Sequence, residues 1–265
     1  MGEKRKFMVT AALLVLLVIV LLVLLVRPGG GKAAREEALA RENAVAEGLS
    51  YLYTLEGQDT APVEETLKDQ RRQERIEALQ RGEVDVWEQL EDAVIMGDSR
   101  AVGFWYFDFM PQERVLGDAG HTIEYVPDYM ETLQALNPGQ IFLCYGVNDI
   151  GIGYWPEPED WASAMDETIR SIHAVLPDTD VIVCSALPVR GKGLDRNDAW
   201  YEIPEYNAVM AQMCAEKGYA FADCAAIAEE FSYYWDIDGI HVGEGFYPYW
   251  AQELVTAMYS LDEEG

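Results

Sequence analysis

From Ala93 onward, short apolar runs alternate with longer amphipathic segments, and this alternation restricts the fold more than any other feature. The apolar runs are nearly uninterrupted, which is typical of parallel strands covered on both faces. We expect strands near residues 94–96, 114–116, 141–145, 181–186 and 220–222. Helices are predicted near residues 100–109, 127–136, 159–176, 203–217 and 244–260. The expected fold of residues 93–265 is therefore α/β, a three-layer α/β/α sandwich around a five-stranded parallel sheet.

An uncharged apolar run, Phe7–Val26, lies near the amino terminus and is interrupted only by Thr10. Its length suits a helix that crosses a bilayer. The basic residues 4–6 precede it, so the positive-inside rule places the amino terminus in the cytoplasm. A cleaved signal peptide is the alternative, but its apolar core is shorter, roughly 7–15 residues, and no small-x-small cleavage site follows here. We predict that residues 1–32 form a cytoplasmic tip and one transmembrane anchor in the cell membrane, with the domain extracytoplasmic.

The chain beyond this run is strongly acidic. Residues 33–265 hold 46 of the 47 acidic residues but only 14 of the 19 basic residues. Such a body is repelled by nucleic acid, which we exclude as a partner. Residues 33–92 are rich in Glu, Arg, Ala and Gln and are expected to form an acidic helical stalk or linker, broken near residues 57–62. Heptad positions are not sustained there, which favours a solvated spacer over a coiled-coil dimer.

The sequence shows no sign of a bound metal or cofactor. The four cysteines have no metal-type Cys-x-x-Cys spacing; they are Cys144, Cys184, Cys214 and Cys224. Because the first two fall inside apolar strands, we favour free thiols, although an extracytoplasmic location would permit disulfides. The pair Gly151-x-Gly153 continues into Tyr-Trp-Pro with no helix start, so it does not match a phosphate-binding loop. We therefore expect no cofactor and no metal.

Polar motifs follow four of the predicted strands. They are Gly97-Asp98-Ser99, Gly120, Gly146-Val147-Asn148-Asp149 and Asp238-Gly239-Ile240-His241. Taken alone, each motif is ordinary turn or helix-cap chemistry. Parallel strands end at one edge of the sheet, where ligands bind, so these motifs are expected to meet. His241 lies in a loop after the last strand, with the carboxylate of Asp238 three residues earlier.

In this order, the motifs resemble those of the SGNH (GDSL-like) hydrolase superfamily, over residues 93 to about 261. The resemblance implies a flavodoxin-like fold and a serine esterase. The implied roles are nucleophile for Ser99, general base for His241, its carboxylate partner for Asp238, and oxyanion hole for Ser99, Gly120 and Asn148. Gly117 remains an alternative to Gly120. Arg100 departs from the family motif, which has leucine at that position.

The substrate is less restricted by the sequence than the reaction is. Four residues beside the expected site are candidates for binding substrate: Arg100, Trp155, Arg190 and Trp235. We expect a membrane-tethered esterase that hydrolyses small acyl groups, above all O-acetyl groups on carbohydrate. An O-acyltransferase that modifies cell-envelope glycans is the alternative with the same machinery. A non-catalytic carbohydrate-binding ectodomain is the alternative of another class, and it would need no proton relay.

Overall fold

The computed structural model describes residues 13–21, 32–56 and 61–261, and the chain divides into two compact units, Met1–Glu64 and Glu65–Gly265. In the first unit, helix α1 covers residues 13–21 and helix α2 covers Lys32–Glu56. Across the three described ranges, no helix is both long and apolar enough to cross a membrane. The predicted anchor extends through residues 7–12 and 22–26, which lie outside the described residues.

The second unit contains the sheet and the helices around it. Its strands are β1 (Ala93–Gly97), β2 (Val115–Gly117), β3 (Gln140–Cys144), β4 (Asp180–Cys184) and β5 (Ala220–Ala222). The helices up to β3 are α3 (Ala61–Gln80), α4 (Val86–Gln89), α5 (Ser99–Tyr106) and α6 (Met130–Leu136). The later ones are α7 (Val147–Ile152), α8 (Pro158–His173), α9 (Ile203–Lys217), α10 (Cys224–Glu230) and α11 (Tyr247–Tyr259).

All five strands are parallel and lie in the order β2-β1-β3-β4-β5. This order reverses direction beside β1, which creates the crevice where open α/β sheets bind ligands. The register pairs Gly97 with both Gly117 and Cys144, so β1, β2 and β3 end at the same level. The predicted five-stranded parallel sheet is therefore confirmed.

Alternate residues of each strand face opposite layers of the core. Ala93 and Ile95 of β1 pack on the side of α4, α5, α10 and α11, whereas Val94 and Met96 pack on the side of α6, α7, α8 and α9. Because both faces are covered, the buried residues of the strands are apolar, which explains the nearly uninterrupted runs in the sequence. The four cysteines are free and buried, as predicted.

Two short helices differ from the sequence-based prediction. The sequence predicts no helix between the third strand and residue 159, whereas α7 follows that strand and ends at Ile152, before Gly153. Helix α7 starts because the Asp149 carboxylate accepts the N–H of Gly146, which provides the helix with an N-terminal cap. Helix α10 follows β5 directly, and the Asp223 side chain caps it through the Ala226 N–H.

The folded unit around the sheet extends into residues that the sequence assigns to the stalk. Leu79 of α3 is 1% exposed and belongs to the same core cluster as Trp250 of α11. Leu90 is equally buried, and the Arg75 guanidinium lies 4.7 Å from the centroid of the Tyr259 ring. The end of α3 thus packs on the outer helical layer of the sheet.

We predict that Leu79→Ala destabilises this unit by about 2–4 kcal/mol, because it removes a fully buried side chain and leaves a cavity. Urea denaturation of the full chain, followed by fluorescence, measures the change. Leu67→Ala is the matched control, since Leu67 lies on the same helix and is 45% exposed. The control should change stability by less than about 0.5 kcal/mol. Equal effects of the two substitutions would contradict the packing of α3 on the domain.

Candidate active site

Ser99, His241 and Asp238 form a continuous hydrogen-bonded relay, although the first two are 142 residues apart in the sequence. Ser99 Oγ lies 3.0 Å from His241 Nε2, and His241 Nδ1 lies 2.7 Å from Asp238 Oδ2. Burial would raise the pKa of Asp238, but hydrogen bonds from the His241 ring and from two backbone N–H groups outweigh it and lower the pKa to about 2. Asp238 is therefore ionised at neutral pH and fixes the Nδ1–H tautomer of His241.

A tight loop holds the carboxylate and the imidazole together. Asp238 Oδ1 accepts the N–H groups of Ile240 and His241, at 2.8 and 3.0 Å. Gly239, between them, has φ +73°, and its carbonyl accepts the Arg190 N–H at 2.7 Å. A Cβ at Gly239 would also collide with the Arg190 carbonyl, so the loop after β4 allows only glycine here.

The nucleophile turn is built by a helix cap. Asp98 Oδ1 accepts the Arg100 N–H at 2.9 Å, which starts α5 at Ser99. The Ser99 N–H has no acceptor in the described part of the chain. This donor and the Ser99 hydroxyl both lie at the carboxyl end of β1, so one residue carries both a candidate nucleophile and a candidate oxyanion donor.

Gly120 and Gly117 occupy different environments. Gly117 lies in β2 opposite Gly97, where a Cβ would collide with the Gly97 backbone. Gly120 lies in the loop beyond β2 with φ +81°, between two residues whose N–H groups are bonded to Asp118. The N–H of Gly120 has no acceptor among the described residues. This placement favours Gly120 over Gly117 as a donor to substrate.

Asn148 and Asp149 join the loop after β2 to the start of α7. Asn148 Nδ2 donates to the His121 carbonyl at 3.0 Å, which leaves its second N–H available. Asp149 Oδ2 accepts the Gly146 N–H at 2.9 Å, and Asp149 Oδ1 accepts the Ile123 N–H at 3.0 Å. One carboxylate thus fixes both loops that carry candidate oxyanion donors.

Asp149 is a buried carboxylate, 1% exposed. Burial raises its pKa to about 6, against the hydrogen bond from the Ile123 N–H and with the charge of Asp98 adding to the increase. A pKa raised on folding means that ionisation destabilises the folded state. The stabilisation by Asp149 is complete below its unfolded pKa near 4 and is lost as the pH rises through about 6.

The four candidate substrate-binding residues lie in three different environments. Arg100 is 3% exposed, which favours a structural role over contact with substrate. Trp155 is partly buried against α9, and its carbonyl accepts the Tyr206 hydroxyl at 2.8 Å.

Arg190 and Trp235 bind each other. The Arg190 guanidinium lies 5.1 Å from the Trp235 ring centroid and 2.8 Å from Glu229 Oε1. Trp235 Nε1 donates to the Pro188 carbonyl, and the Trp235 backbone forms a bridge with Val242. These contacts join the two ends of the loop that carries Asp238 and His241 and attach it to the loop after β4. The Arg190 and Trp235 side chains therefore hold this loop in place.

In the described ranges, no group of three or more His, Cys, Asp or Glu side chains is arranged to hold a metal ion.

Comparison with known proteins shows the family of this chain. The model of the GDSL-like lipase/acylhydrolase family matches residues 95–247, which is more than half of the chain. The chain belongs to this family. It is a carboxylic ester hydrolase, so the alternative of a non-catalytic carbohydrate-binding ectodomain is wrong. Comparison with curated proteins finds no significant match.

Solved structures show the same fold for this esterase. A GDSL-like lipase from Bacteroides thetaiotaomicron matches with a TM-score of 0.52 and 20% identity, over 64% of this chain and 88% of that chain. A lipase/acylhydrolase from Enterococcus faecalis matches with a TM-score of 0.52 and 15% identity, over 63% of this chain and 95% of that chain. At these identities the likeness concerns the fold alone.

Sequence reasoning missed Tyr247, whose hydroxyl donates to the Arg100 carbonyl at 2.8 Å. This contact joins α11 to the nucleophile turn across 147 residues of sequence. No local pattern identifies it, because Tyr247 occupies an ordinary apolar position at the start of a helix. The burial of Arg100 had a signal, namely an arginine where the family motif has an apolar side chain.

We predict that Asp149→Asn lowers kcat about 100-fold, because the amide NH₂ group puts a donor in place of one acceptor oxygen and the two loops separate. Misplacement of a catalytic group by 1 Å costs about that factor, and loss of one oxyanion donor costs about 10²–10³. Steady-state hydrolysis of an aryl acetate measures the change.

Asp166→Asn is the matched control for this substitution. Asp166, on α8, is also a largely buried carboxylate, and it accepts a hydrogen bond from the Tyr219 hydroxyl at 2.8 Å. The control should retain kcat within about twofold, since surface and distal changes act on stability instead of catalysis. Wild-type kcat in a folded Asp149→Asn protein would show that the carboxylate does not organise the site.

Proposed function

We propose that this enzyme is a serine esterase that uses Ser99, His241 and Asp238 as its catalytic triad. The observation that carries the proposal is the relay, with 3.0 Å between Ser99 Oγ and His241 Nε2 and 2.7 Å between His241 Nδ1 and Asp238 Oδ2. Ser99 Oγ attacks the ester carbonyl while His241 Nε2 accepts its proton. His241 then protonates the leaving alkoxide, and water hydrolyses the acyl-enzyme by the reverse sequence of proton transfers.

Three donors are proposed to stabilise the tetrahedral oxyanion. They are the Ser99 N–H, the Gly120 N–H and the second N–H of the Asn148 amide. Support comes from the fact that the first two have no acceptor in the described part of the protein and the third uses only one of its hydrogens. Donors left unpaired by the protein are already oriented before charge develops, which is the condition for strong stabilisation.

We propose that the substrate is a small acyl ester, in particular an O-acetyl group, carried by carbohydrate. The triad is accessible to a large alcohol group, since the His241 side chain is 44% exposed. Apolar side chains stand exposed in loops beside the triad and oxyanion residues, with Ile237 at 91% and Tyr154 at 58%. The flat ring of Tyr154 suits contact with the face of a sugar ring, and Ile237 adds apolar area.

The location of the enzyme is part of the same proposal. The apolar run Phe7–Val26 would anchor the chain in the cell membrane, with the catalytic domain on the outer side. Support comes from the absence of charge over that run and from the acidic character of all that follows. We expect the full chain to remain in carbonate-washed membranes. We also expect protease added to intact cells to cleave the domain. Release of the chain without detergent would refute the anchor.

We predict that Ser99→Ala lowers kcat/KM for an aryl acetate by about 10⁴-fold or more, because the nucleophile is lost and only binding and the oxyanion hole remain. Hydrolysis by the detergent-purified full chain measures it. Ser163→Ala, which removes an exposed hydroxyl on α8, is the control and should behave as the wild type. Undiminished hydrolysis by the Ser99→Ala protein would refute the triad.

A panel of esters tests the substrate class. Rates should fall from acetyl to butyryl to octanoyl esters, and acetate should be released from acetylated glycans. Mass spectrometry of products formed with and without an acceptor sugar distinguishes hydrolysis from transfer. Preference for long acyl chains would contradict the substrate proposal, and transfer of the acyl group in preference to its release would favour the acyltransferase.

A further inference from the structure

Arg100 is the residue of the nucleophile turn whose role neither the family motif nor the relay accounts for. It directly follows Ser99 and is 3% exposed, and it is the only basic side chain so deeply buried among the described residues. Burial lowers the pKa of its guanidinium, and the charges of Asp98, Tyr247 and Asp238 oppose that effect. A charge is costly to bury, so its retention beneath the nucleophile calls for specific contacts.

The first contact joins the turn to the loop after β4. Arg100 Nη1 donates to the Leu187 carbonyl at 2.6 Å. Residues 187–190 are in turn bonded to the loop that carries Asp238 and His241, because the Arg190 N–H donates to the Gly239 carbonyl at 2.7 Å. Arg100 therefore links the segment that carries Ser99 to the segment that carries Asp238 and His241.

Arg100 lines a small cavity, and the remaining nitrogens of its guanidinium have no protein partner in the described part of the chain. Arg100 Nε and Nη2 have no partner within the described residues, and neither do the buried Tyr145 hydroxyl and Trp250 Nε1. The four side chains Asp98, Arg100, Tyr145 and Trp250 line one cavity of about 10 Å³. That volume is close to what one water molecule requires, and three or four polar partners are what a buried water uses.

We propose that Arg100 is a positioning residue that, together with one water bound in this cavity, holds the Ser99 turn in register with the His241 loop. The water accepts from the guanidinium and donates to the Asp98 carboxylate, which also caps α5. The two buried charges are thereby connected without direct contact between their side chains. This inference rests on the proposed triad, since it concerns the distance between Ser99 and His241.

Two substitutions test the positioning role. Arg100→Leu introduces the side chain of the family motif and removes both the Leu187 contact and the water ligand. We expect kcat to fall at least about 10-fold with KM within about twofold, because misplaced groups impair the chemical step more than binding. Arg100→Lys retains a charged N–H donor of nearly the same reach and should recover part of kcat. In crystal structures, the Ser99 Oγ to His241 Nε2 distance should lengthen in the leucine variant.

Arg114→Leu is the matched control. Arg114 also donates to a backbone carbonyl, that of Asp92, but it lies at the amino ends of the strands, away from the site. Its loss should lower the melting temperature without a change in kcat. Wild-type kcat in a folded Arg100→Leu protein would overturn the inference. If that protein does not fold, wild-type kcat in Arg100→Lys without a bond to the Leu187 carbonyl would overturn it instead.

A high-resolution crystal structure of the full chain, grown with bromide, tests the ligand. One water within hydrogen-bond distance of both Arg100 and Asp98 is expected. An anomalous bromide peak in the cavity would identify an anion site and overturn the assignment of water, and so would a cavity without density. The Ser99→Ala result separates the two proposals. If that variant is inactive while Arg100→Leu behaves as the wild type, the triad stands and only the positioning role fails.

Discussion

Parallel pairing of β1 with its two neighbours is the constraint on which the site depends. Because all five strands run in one direction, the segment that follows each strand emerges at the same edge of the sheet. The register places the end of β1 level with the ends of β2 and β3. Ser99, Gly120 and Asn148 then lie within a few residues of that edge, and the loop before α11 adds His241. Catalytic groups far apart in sequence meet without any long connection of their own.

Strand ends alone do not give the precision that acyl transfer requires, and the loops supply it by bonding to one another. Asp149 ties the loop after β2 to the start of α7, whereas the Arg190 N–H and the Gly239 carbonyl tie the loop after β4 to the triad loop. Each tie uses backbone groups that would otherwise be unpaired. A group held by two loops loses less freedom when the oxyanion forms than a group held by one.

The sequence predicts the parts of this structure that depend on local periodicity. Helix α9 and strand β5 lie where the apolar pattern places them, and the four polar motifs are recognisable by their order after strands. Contacts across many residues have no such signal. Trp235 has the kind of ring that stacks on sugars, but this ring packs against Arg190 and its indole N–H donates to the Pro188 carbonyl. Leu79 looks like one more apolar residue of a solvated helix, and only packing shows that it belongs to the core.

The charge of the buried Arg100 guanidinium balances the carboxylates near Ser99. The reaction develops an oxyanion in a body that holds 46 acidic and only 14 basic residues, and three carboxylates, Asp98, Asp149 and Asp238, bond within the segments that carry the site residues. Surface charges are largely screened beyond about 10 Å at ordinary ionic strength, whereas buried charges are screened much less. The local balance therefore outweighs the net charge. Arg100 offsets Asp98 beneath the nucleophile, and its charge also acts on Asp238. A leucine at that position would leave the carboxylates uncompensated just where negative charge must form.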